Sequence, residues 1–464
     1  MSMLPVNGAY KINFKRHGDS RGYFNELFNE QKYDECVKNK SWKQVSFSSS
    51  SKNVLRGLHC SPYGKFITCT RGSFYDVIAD FRPDSPTFGR WCKILLTSTN
   101  CTQVYVPAHC GHGFYTLEDD TNALYLQEGC FDSSKENDTH PYDPFINVQW
   151  PTENLNFPIL SEKDSSARHL SSRMEVPLQP RQRILVIGGS GQIGSSLIES
   201  FEKVNCIGTY CHSTPTPGMI HFDMEKADVP GYTEEVFEMV LPTHVFICTG
   251  FTWVDGCEND TEKCDRLNNT MPAHVCKVAK KYACKTIWFS TDYVFDGSCG
   301  PYTEDSVPNP VNEYGRAKLR GEKALRHIDE ECLIIRTNVV YGPDPNRKNF
   351  GYQLLDEKID KVPSDQFGTP TYNKDIAQAC KILTSSNALG IYHITGSEFL
   401  SREELTEKVC NCFGMKNNYT FVKTYDLKQS AIRPLKAGLV NTKLKTFKPL
   451  KIEQALEDWK TSNV

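Results

Sequence analysis

Two groups of residues in this chain have types and spacings that suit chemistry on carbonyl compounds. The first is His59, which follows an Arg-Gly-Leu tripeptide, with Lys65 six residues later. A histidine set among β-strands suits removal of a proton next to a carbonyl group. The second is Tyr314 and Lys318, preceded by Thr291 in a Ser-Thr-Asp-Tyr run. A Tyr-x-x-x-Lys pair behind a glycine-rich loop suits reduction of a carbonyl, so one chain is predicted to rearrange a keto compound and then reduce it.

The spacing of Tyr314 and Lys318 places both side chains on one side of a predicted helix. We expect the lysine ammonium to lower the pKa of the phenol and to hold the nicotinamide ribose. The phenol then protonates a carbonyl oxygen as hydride arrives. Thr291 follows a predicted strand over 286–290, where its hydroxyl can bind the same oxygen.

A glycine-rich turn follows the predicted strand 184–187 and opens a helix. Such a turn lets the backbone approach a pyrophosphate at the helix N-terminus, although similar turns also serve packing alone. The predicted cofactor-binding residues of the turn are Gly188, Gly191, Gln192, Ile193 and Gly194.

The end of the second predicted strand indicates which cofactor binds. An Asp or Glu there usually binds the ribose hydroxyls of NAD, whereas this region reads Gly208-Thr-Tyr-Cys-His212. We therefore expect NADPH, with NADH possible, and expect His212 to help bind the 2′-phosphate. Asp223 is a predicted partner of the adenine, and its alternative role is that of a turn residue at a strand end.

The elements that position these residues change character along the chain. Short β-rich segments with Gly and Pro turns, and one short helical stretch near 33–38, predict a sandwich or barrel. Residues 165–182 are polar and are typical of a linker. Strands then alternate with amphipathic helices, which predicts a parallel sheet with helices on both faces. The predicted strands are 66–70, 74–80, 91–96 and 103–106 in the first part, and 184–187, 205–209, 244–248, 286–290, 333–337 and 391–394 in the second.

Residues 183–464 resemble the extended short-chain dehydrogenase/reductases, in particular the dTDP-4-dehydrorhamnose reductase family. The resemblance implies a Rossmann fold, a catalytic set of Thr291, Tyr314 and Lys318, and a substrate contact at Trp253. The regulatory β subunit of methionine adenosyltransferase shares much of the pattern, but the three catalytic residues together favour the enzyme. The matching stretches are Gly188–Gly194, Trp253–Asp255, Ser290–Gly297, Tyr314–Lys318, Gly368–Thr371 and Arg433-Pro434.

Three histidines in the first part, His59, His109 and His112, are open to a metal, an acid–base or a packing interpretation. Residues 7–170 resemble the dTDP-4-dehydrorhamnose 3,5-epimerases, a jelly-roll family that works without metal. We therefore predict no metal. The matching stretches are Gly18–Gly22, Leu55–His59, Asp76–Asp80, Ser85–Gly89, His112–Phe114, Trp150-Pro151 and Leu160–Asp164.

This second resemblance implies a role for each catalytic residue. His59, oriented by Asp164, removes protons from the carbons that flank the keto group. Lys65 stabilises the enolate oxygen, and Tyr125 returns a proton from the opposite face. Where the family commonly has paired aromatic residues this chain has Cys130-Phe131, so the base, uracil or thymine, stays open. The implied substrate-binding residues are Arg21, Phe24, Glu26, Gln44, Arg56 and His112.

Length and composition set the remaining expectations. At 464 residues the chain predicts more than one domain: a jelly roll over 1–170, a linker over 171–182 and a Rossmann domain over 183–464. A net charge of −3 gives no case for nucleic acid or an anionic membrane. Nineteen scattered cysteines indicate a reducing, cytoplasmic location. The predicted function is a bifunctional 3,5-epimerase and 4-reductase acting on a dTDP- or UDP-linked 4-keto-6-deoxy-D-glucose, with homodimerisation implied by the epimerase family.

Overall fold

The computed structural model describes residues 1–31, 33, 40–151, 158–173, 182–201 and 206–462. Most of the predicted helical stretch near 33–38, and residues 174–181 of the predicted linker, lie outside the described residues.

The first half of the chain is an antiparallel β-sandwich. One sheet has six strands in the order β1-β2-β10-β7-β12-β5, the other has four in the order β6-β11-β8-β9, and β3 pairs with β4 as a separate hairpin. Apolar side chains from both sheets, among them Ile67, Val104 and Phe114, share one buried cluster. The predicted jelly roll is confirmed. The strands are β1 Ser2–Met3, β2 Tyr10–Asn13, β3 Arg16–Asp19, β4 Gly22–Asn25, β5 Gln44–Ser50, β6 Leu55–Cys60, β7 Lys65–Arg71, β8 Ser73–Asp80, β9 Trp91–Thr97, β10 Thr102–Val106, β11 Cys110–Thr116 and β12 Thr121–Gln127.

The second half is built on a parallel sheet of seven strands, in the order β15-β14-β13-β16-β17-β18-β23. This order reverses direction beside β13, as in dinucleotide-binding folds, and confirms the predicted Rossmann fold. The edge strand β15 has only two residues, too few to show as an apolar run in the sequence. The strands are β13 Ile184–Ile187, β14 Cys206–Tyr210, β15 Ile220–His221, β16 His244–Ile247, β17 Lys285–Thr291, β18 Leu333–Thr337, β19 Val340–Tyr341, β20 Lys361–Pro363, β21 Phe367–Gly368, β22 Thr371–Tyr372, β23 Gly390–His393, β24 Leu400–Ser401 and β25 Thr420–Val422.

Helices cover both faces of the parallel sheet, and local sequence explains where the important ones begin. The longest starts after Asn312, whose side chain accepts a hydrogen bond from the Gly315 amide at 2.8 Å. A Ser401/Glu404 capping box starts another. The helices are α1 Glu162–Ser165, α2 Gln192–Ser200, α3 Tyr232–Val240, α4 Val254–Asn259, α5 Thr261–Asp265, α6 Met271–Lys281, α7 Glu313–Ile328, α8 Phe350–Leu355, α9 Asn373–Ser385, α10 Arg402–Phe413 and α11 Ile452–Ser462. No helix in the described part of the chain is both long and apolar enough to cross a lipid bilayer.

The two halves are in direct contact, with α3 packed against β9. Arg183, next to the first strand of the second half, places its guanidinium carbon 3.8 Å from the centre of the Trp91 ring. Its Nε donates to the Val240 carbonyl at 2.8 Å. A buried arginine of the first half, Arg90, donates to the Gly218 carbonyl at 3.4 Å. The sandwich and the parallel sheet therefore share a buried boundary of apolar and cationic groups.

Candidate active sites

His59 lies on β6 and pairs with an aspartate from outside the sandwich. Its Nε2 is 2.8 Å from Oδ1 of Asp164, which belongs to α1. The other oxygen of Asp164 accepts from the Gly57 amide at 3.4 Å. Burial acts to raise the pKa of Asp164, but the hydrogen bond and charge of His59 outweigh it, so this pKa is lowered. The carboxylate of Asp164 therefore orients the imidazole of His59. The His59 side chain is 31% exposed, so a substrate can still reach it.

A second histidine–aspartate pair lies beside the first. His112 on β11 stands opposite His59 in the strand register, and its Nε2 is 2.7 Å from Oδ1 of Asp76 on β8. Both side chains are buried. Burial works against both charges, raising the pKa of Asp76 and lowering the pKa of His112. The pair is therefore a buried polar contact next to His59.

The facing sheet supplies a lysine and a tyrosine, Lys65 on β7 and Tyr125 on β12. The Lys65 ammonium is 3.4 Å from the Ser61 hydroxyl, and burial lowers its pKa. The Tyr125 hydroxyl is 3.2 Å from that of Ser48, and burial raises the pKa of the phenol to about 12. The Tyr125 ring stands edge-on to His112, with 6.3 Å between ring centres. A protonated phenol on one sheet thus faces His112 on the other, beside His59, an arrangement suited to moving a proton across a substrate.

The glycine-rich turn between β13 and α2 is shaped for a large anion. Gly188 has a φ of +83°, and a Cβ at Gly194 would lie 2.2 Å from the Gly188 carbonyl oxygen, so only glycine allows this close approach. The N-cap residue of α2, Gly191, has no side chain with which to cap the first amides of the helix. Nε2 of Gln192 and Oγ1 of Thr249 are buried without a hydrogen-bond partner among the described residues. The turn therefore fits the pyrophosphate of a dinucleotide.

Tyr314 and Lys318 both lie on the buried side of α7. The Lys318 ammonium donates to the Phe289 carbonyl at 2.9 Å and lies 4.4 Å from the Trp288 ring centre, and burial lowers its pKa to about 8. Burial also raises the pKa of Tyr314. A hydrogen bond with Thr291 acts to lower this pKa but has a smaller effect than burial. The prediction that Lys318 lowers the Tyr314 pKa is wrong in this structure, because desolvation of the phenol dominates.

Thr291 ends β17 beside Tyr314 and has partners of its own. Its hydroxyl donates to Oδ1 of Asp292 at 3.1 Å and accepts from the Tyr293 amide at 3.2 Å. The second oxygen of Asp292 accepts from Asn338 at 3.1 Å, and burial raises the pKa of this carboxyl to about 7. Two buried hydroxyls, those of Thr291 and Tyr314, therefore adjoin and can both bind one carbonyl oxygen.

Two family models match consecutive parts of the chain. The dTDP-4-dehydrorhamnose 3,5-epimerase model matches residues 3–172, and the RmlD substrate binding domain model matches residues 182–462. The chain belongs to both families. It is an enzyme with an epimerase half, of the isomerase class, followed by a reductase half, of the oxidoreductase class. Both resemblances predicted from the sequence are confirmed.

Similar proteins match one half or the other. The dTDP-4-dehydrorhamnose 3,5-epimerase of Shigella flexneri is 39% identical over 155 residues, which cover 32% of this chain and 84% of that protein. The probable low-salt glycan biosynthesis reductase Agl14 of Haloferax volcanii is 30% identical over 272 residues, 55% of this chain and 88% of that protein. Methionine adenosyltransferase 2 subunit beta of Xenopus tropicalis is 29% identical over 252 residues, 52% of this chain and 75% of that protein.

A solved structure shares the fold of the reductase half. The dTDP-4-dehydrorhamnose reductase of Bacillus anthracis, in complex with NADP, superposes with a TM-score of 0.55 at 24% identity. The match covers 61% of this chain and all of that one.

The predicted substrate-binding residues of the epimerase half fall into two groups. Arg21 and Phe24 lie on the β3–β4 hairpin, where the Arg21 side chain is 88% exposed and pairs with Asp19, and Phe24 is 67% exposed. Glu26 follows the hairpin and accepts a hydrogen bond from Asn29 at 3.3 Å. The hairpin thus carries these groups into solvent.

The other group lies on strands β5 and β6 of the sandwich. Arg56 on β6 donates to the Ser50 hydroxyl at 3.0 Å, and its charge acts on Tyr125. Gln44 on β5 accepts a hydrogen bond from the Phe131 amide at 2.8 Å. Gln44 therefore holds the Cys130-Phe131 segment where the base is expected to stack.

Three predicted residues of the reductase half lie at the surface or at element ends. His212 is exposed, with its Nε2 3.5 Å from the Cys211 sulfur. Asp223 caps a short 3₁₀ helix by accepting from the Glu225 amide at 3.0 Å, which is the turn role weighed as its alternative. Trp253 is 64% exposed just before α4. Their contacts with ligands stay predictions.

Sequence reasoning missed Asp76 as a partner of His112 and Asp292 as a partner of Thr291. A signal for Asp76 was available, because an acid that alternates with Phe74 and Ile78 along a strand faces the interior and must be paired there. Asp292 was visible only as part of a motif, and its two hydrogen bonds depend on the fold.

Proposed function

We propose that this chain converts a nucleotide-linked 4-keto-6-deoxy-D-glucose to the corresponding L-rhamnose form in two steps. The epimerase half inverts C3 and C5, and the reductase half then reduces C4 with NADPH. The observation that carries the proposal is the presence, in one chain, of a His59–Asp164 base facing Lys65 and Tyr125, and of a Thr291–Tyr314 pair behind a nucleotide turn.

In the first step His59 takes the proton from the carbon next to the keto group, since Asp164 holds its ring in one orientation. The electrons move onto the keto oxygen, where the Lys65 ammonium stabilises the enolate charge. Tyr125 lies on the opposite sheet and keeps its proton, because burial raises its pKa to about 12. It returns a proton to the other face of the carbon, which inverts that centre.

In the second step Thr291 and Tyr314 hold the C4 carbonyl oxygen by hydrogen bonds. A bound reduced nicotinamide supplies the hydride for the new C4–H bond. Tyr314 gives its proton to the oxygen, and the positive charge of Lys318 compensates the phenolate that remains. The raised pKa of free Tyr314 keeps that proton in place until charge develops on the oxygen.

NADPH is the proposed cofactor because β14 ends at Tyr210, and Cys211 and His212 follow in place of an acid. No carboxylate in this tripeptide repels a 2′-phosphate. The complex of the Bacillus anthracis reductase with NADP supports this choice.

The free state of all the described cysteines agrees with the proposed cytoplasmic location.

We also propose that the active form is a homodimer joined through the epimerase halves. Strand β5 is an edge of its sheet and exposes Val45 (65%) and Phe47 (58%). The hairpin that carries Arg21 and Phe24 projects into solvent. A second copy would cover the apolar strand and receive the hairpin groups at its own sugar-nucleotide site.

Two other functions are less well supported. A regulatory nucleotide-binding role, as in the methionine adenosyltransferase subunit, leaves the His59–Asp164 and Thr291–Tyr314 pairs unexplained. A metal-dependent oxygenase would need a ligand cluster, and the described residues contain no group of three or more His, Cys, Asp or Glu side chains able to hold an ion.

The test is a side-by-side assay of the full chain with the dTDP- and UDP-linked keto-sugars. NADPH absorbance should fall with at least one of them, and the ratio of kcat/KM values identifies the nucleotide. Tight NADP binding with no turnover of either sugar would support the regulatory function instead.

A further inference from the structure

Helix α7 carries a third polar side chain on the stripe that bears Tyr314 and Lys318. Glu322 is one helical turn beyond Lys318, and its side chain is only 3% exposed. A carboxylate buried to this extent is costly unless it is paired and hydrogen-bonded. The hydrogen-bond partners of Glu322 therefore show which elements the carboxylate connects.

Two residues on neighbouring strands bind this carboxylate. Arg336 on β18 donates to both oxygens, from Nε at 2.8 Å and from Nη2 at 2.6 Å, and is itself 2% exposed. The Ser290 hydroxyl on β17 donates to Oε1 at 2.5 Å. Ser290 and Arg336 are direct neighbours in the strand register. Beyond Arg336, His393 on β23 lies 3.5 Å away through its Nε2.

The first consequence is geometric. Ser290 immediately precedes Thr291, and Glu322 belongs to the helix that carries Tyr314. The carboxylate therefore ties the strand end that bears one hydroxyl of the reductase site to the helix that bears the other. A shift of about 1 Å between such groups can cost about 100-fold in rate.

The second consequence is electrostatic. Burial lowers the pKa of Lys318 to about 8, and Glu322 is the largest influence in the opposite direction. The thiols of Cys264 on α5, Cys257 on α4 and Cys248 after β16 act in the same direction as Glu322, and each has a smaller influence than the carboxylate. The Phe289 carbonyl and the Trp288 ring are the neutral contacts of the ammonium. Glu322 is the anion of this set.

We propose that Glu322, clamped by Arg336, is a positioning residue of the reductase site that sets Thr291 against Tyr314 and provides the counter-charge of Lys318. The proposal rests on the proposed reduction. A purely structural ion pair is the alternative, and it makes a different prediction. Replacing such a pair by apolar side chains is often neutral for stability, so a structural pair could be removed without changing the chemistry.

The experiment compares Glu322→Gln, Glu322→Asp and the double variant Glu322→Met/Arg336→Met with wild type. Asp265→Asn is the matched control, because Asp265 pairs with Arg320 on the exposed side of the same helix. Rates of NADPH oxidation are expressed per NADPH-binding site titrated by fluorescence, so partial unfolding does not enter the comparison. Solvent exchange at C3 and C5 reports the epimerase half of the same molecule.

We expect Glu322→Gln and the double variant to lower kcat about 10- to 100-fold with less than a threefold change in KM. The alkaline limb of the kcat profile should move to lower pH, because Lys318 loses its proton more easily without the carboxylate. Glu322→Asp should restore the alkaline limb but not the full rate, and Asp265→Asn should match wild type.

A double variant that reduces the sugar at the wild-type rate, with the wild-type pH profile, would overturn the proposal. So would an unmoved alkaline limb in Glu322→Gln. Failure of the wild-type chain to oxidise NADPH with either sugar is a different result, because it contradicts the proposed function itself.

Discussion

The epimerase and reductase sites prepare their proton-transfer groups in different ways. In the epimerase half two neighbouring histidines are each paired with a carboxylate, His59 with Asp164 at 2.8 Å and His112 with Asp76 at 2.7 Å. In the reductase half Tyr314 is held by burial and a neighbouring hydroxyl. A histidine base must present one nitrogen in one tautomer, so it needs an orienting acceptor. A tyrosine acid only has to keep its proton until charge develops, which burial achieves.

The two sites also differ in how far apart in sequence their parts lie. His59 and Asp164 are 105 residues apart and meet only when α1 packs beside β6. Tyr314 and Lys318 share one helix, and Thr291 ends the strand against which that helix packs. Destabilising the β-sandwich should therefore affect the epimerase site before the reductase site. Substitution of a single site residue should remove one activity and leave the other.

The largest expected effect comes from His59→Asn, which removes the proposed base. Exchange of the C3 and C5 protons with solvent, followed by NMR in D₂O, should fall about 1,000-fold. Reduction of a sugar that has already been epimerised should not change. His109→Asn is the matched control, since His109 is an exposed histidine of the same half. Equal loss of both activities in His59→Asn would show that the sites are not separable.

Tyr314→Phe is the reciprocal variant. NADPH oxidation should fall about 100-fold or more because the acid that protonates the C4 oxygen is lost. Exchange at C3 and C5 should continue at the wild-type rate. Tyr425→Phe, at a tyrosine that is 78% exposed, should leave both activities unchanged. Normal NADPH oxidation by Tyr314→Phe would contradict its role as the acid.

Asp164→Asn tests whether the epimerase base needs its carboxylate. Exchange should slow by at least about tenfold, because an amide in this place no longer selects the tautomer of His59. Glu162→Gln changes an exposed acid of the same short helix and should have no effect. An exchange rate that is the same in Asp164→Asn and wild type would mean that proximity alone prepares His59.

The last expected effect is on stability and not on rate, and it has opposite signs in the two halves. The folded pKa of Asp292 is raised to about 7, so its stabilising contribution is complete below about pH 4 and is lost as pH rises to about 7. Asp164 has a lowered pKa, so its contribution is present above about pH 4 and is lost as pH falls. Between pH 5 and pH 8 the free energy of unfolding of wild type should fall by about 2–4 kcal/mol from this group. Thermal unfolding of Asp292→Asn at the two pH values should not show this fall. A wild-type-sized loss in the variant would assign the effect to another group.

The sequence predicts the two folds well because strand and helix periods are local properties. It places Tyr314 and Lys318 together by spacing alone, and His59 with Asp164 only through the resemblance to a family. It does not predict the Asp76–His112 pair or the Glu322–Arg336 pair, because these contacts depend on which strands become neighbours. The direction of the Tyr314 pKa was predicted wrongly, since the desolvation of a phenol depends on how deeply α7 packs on the sheet.

The most direct measurement of the central claim follows one sample of the full chain through both steps in D₂O. With the keto-sugar and no cofactor, deuterium should enter C3 and C5 while NMR shows no reduced product. Addition of NADPH should then give one equivalent of a 6-deoxy-L-sugar that carries deuterium at C3 and C5, with one equivalent of NADPH consumed. NADPH consumption that yields a sugar without deuterium at these carbons would contradict the claim that the product of the first site is the substrate of the second.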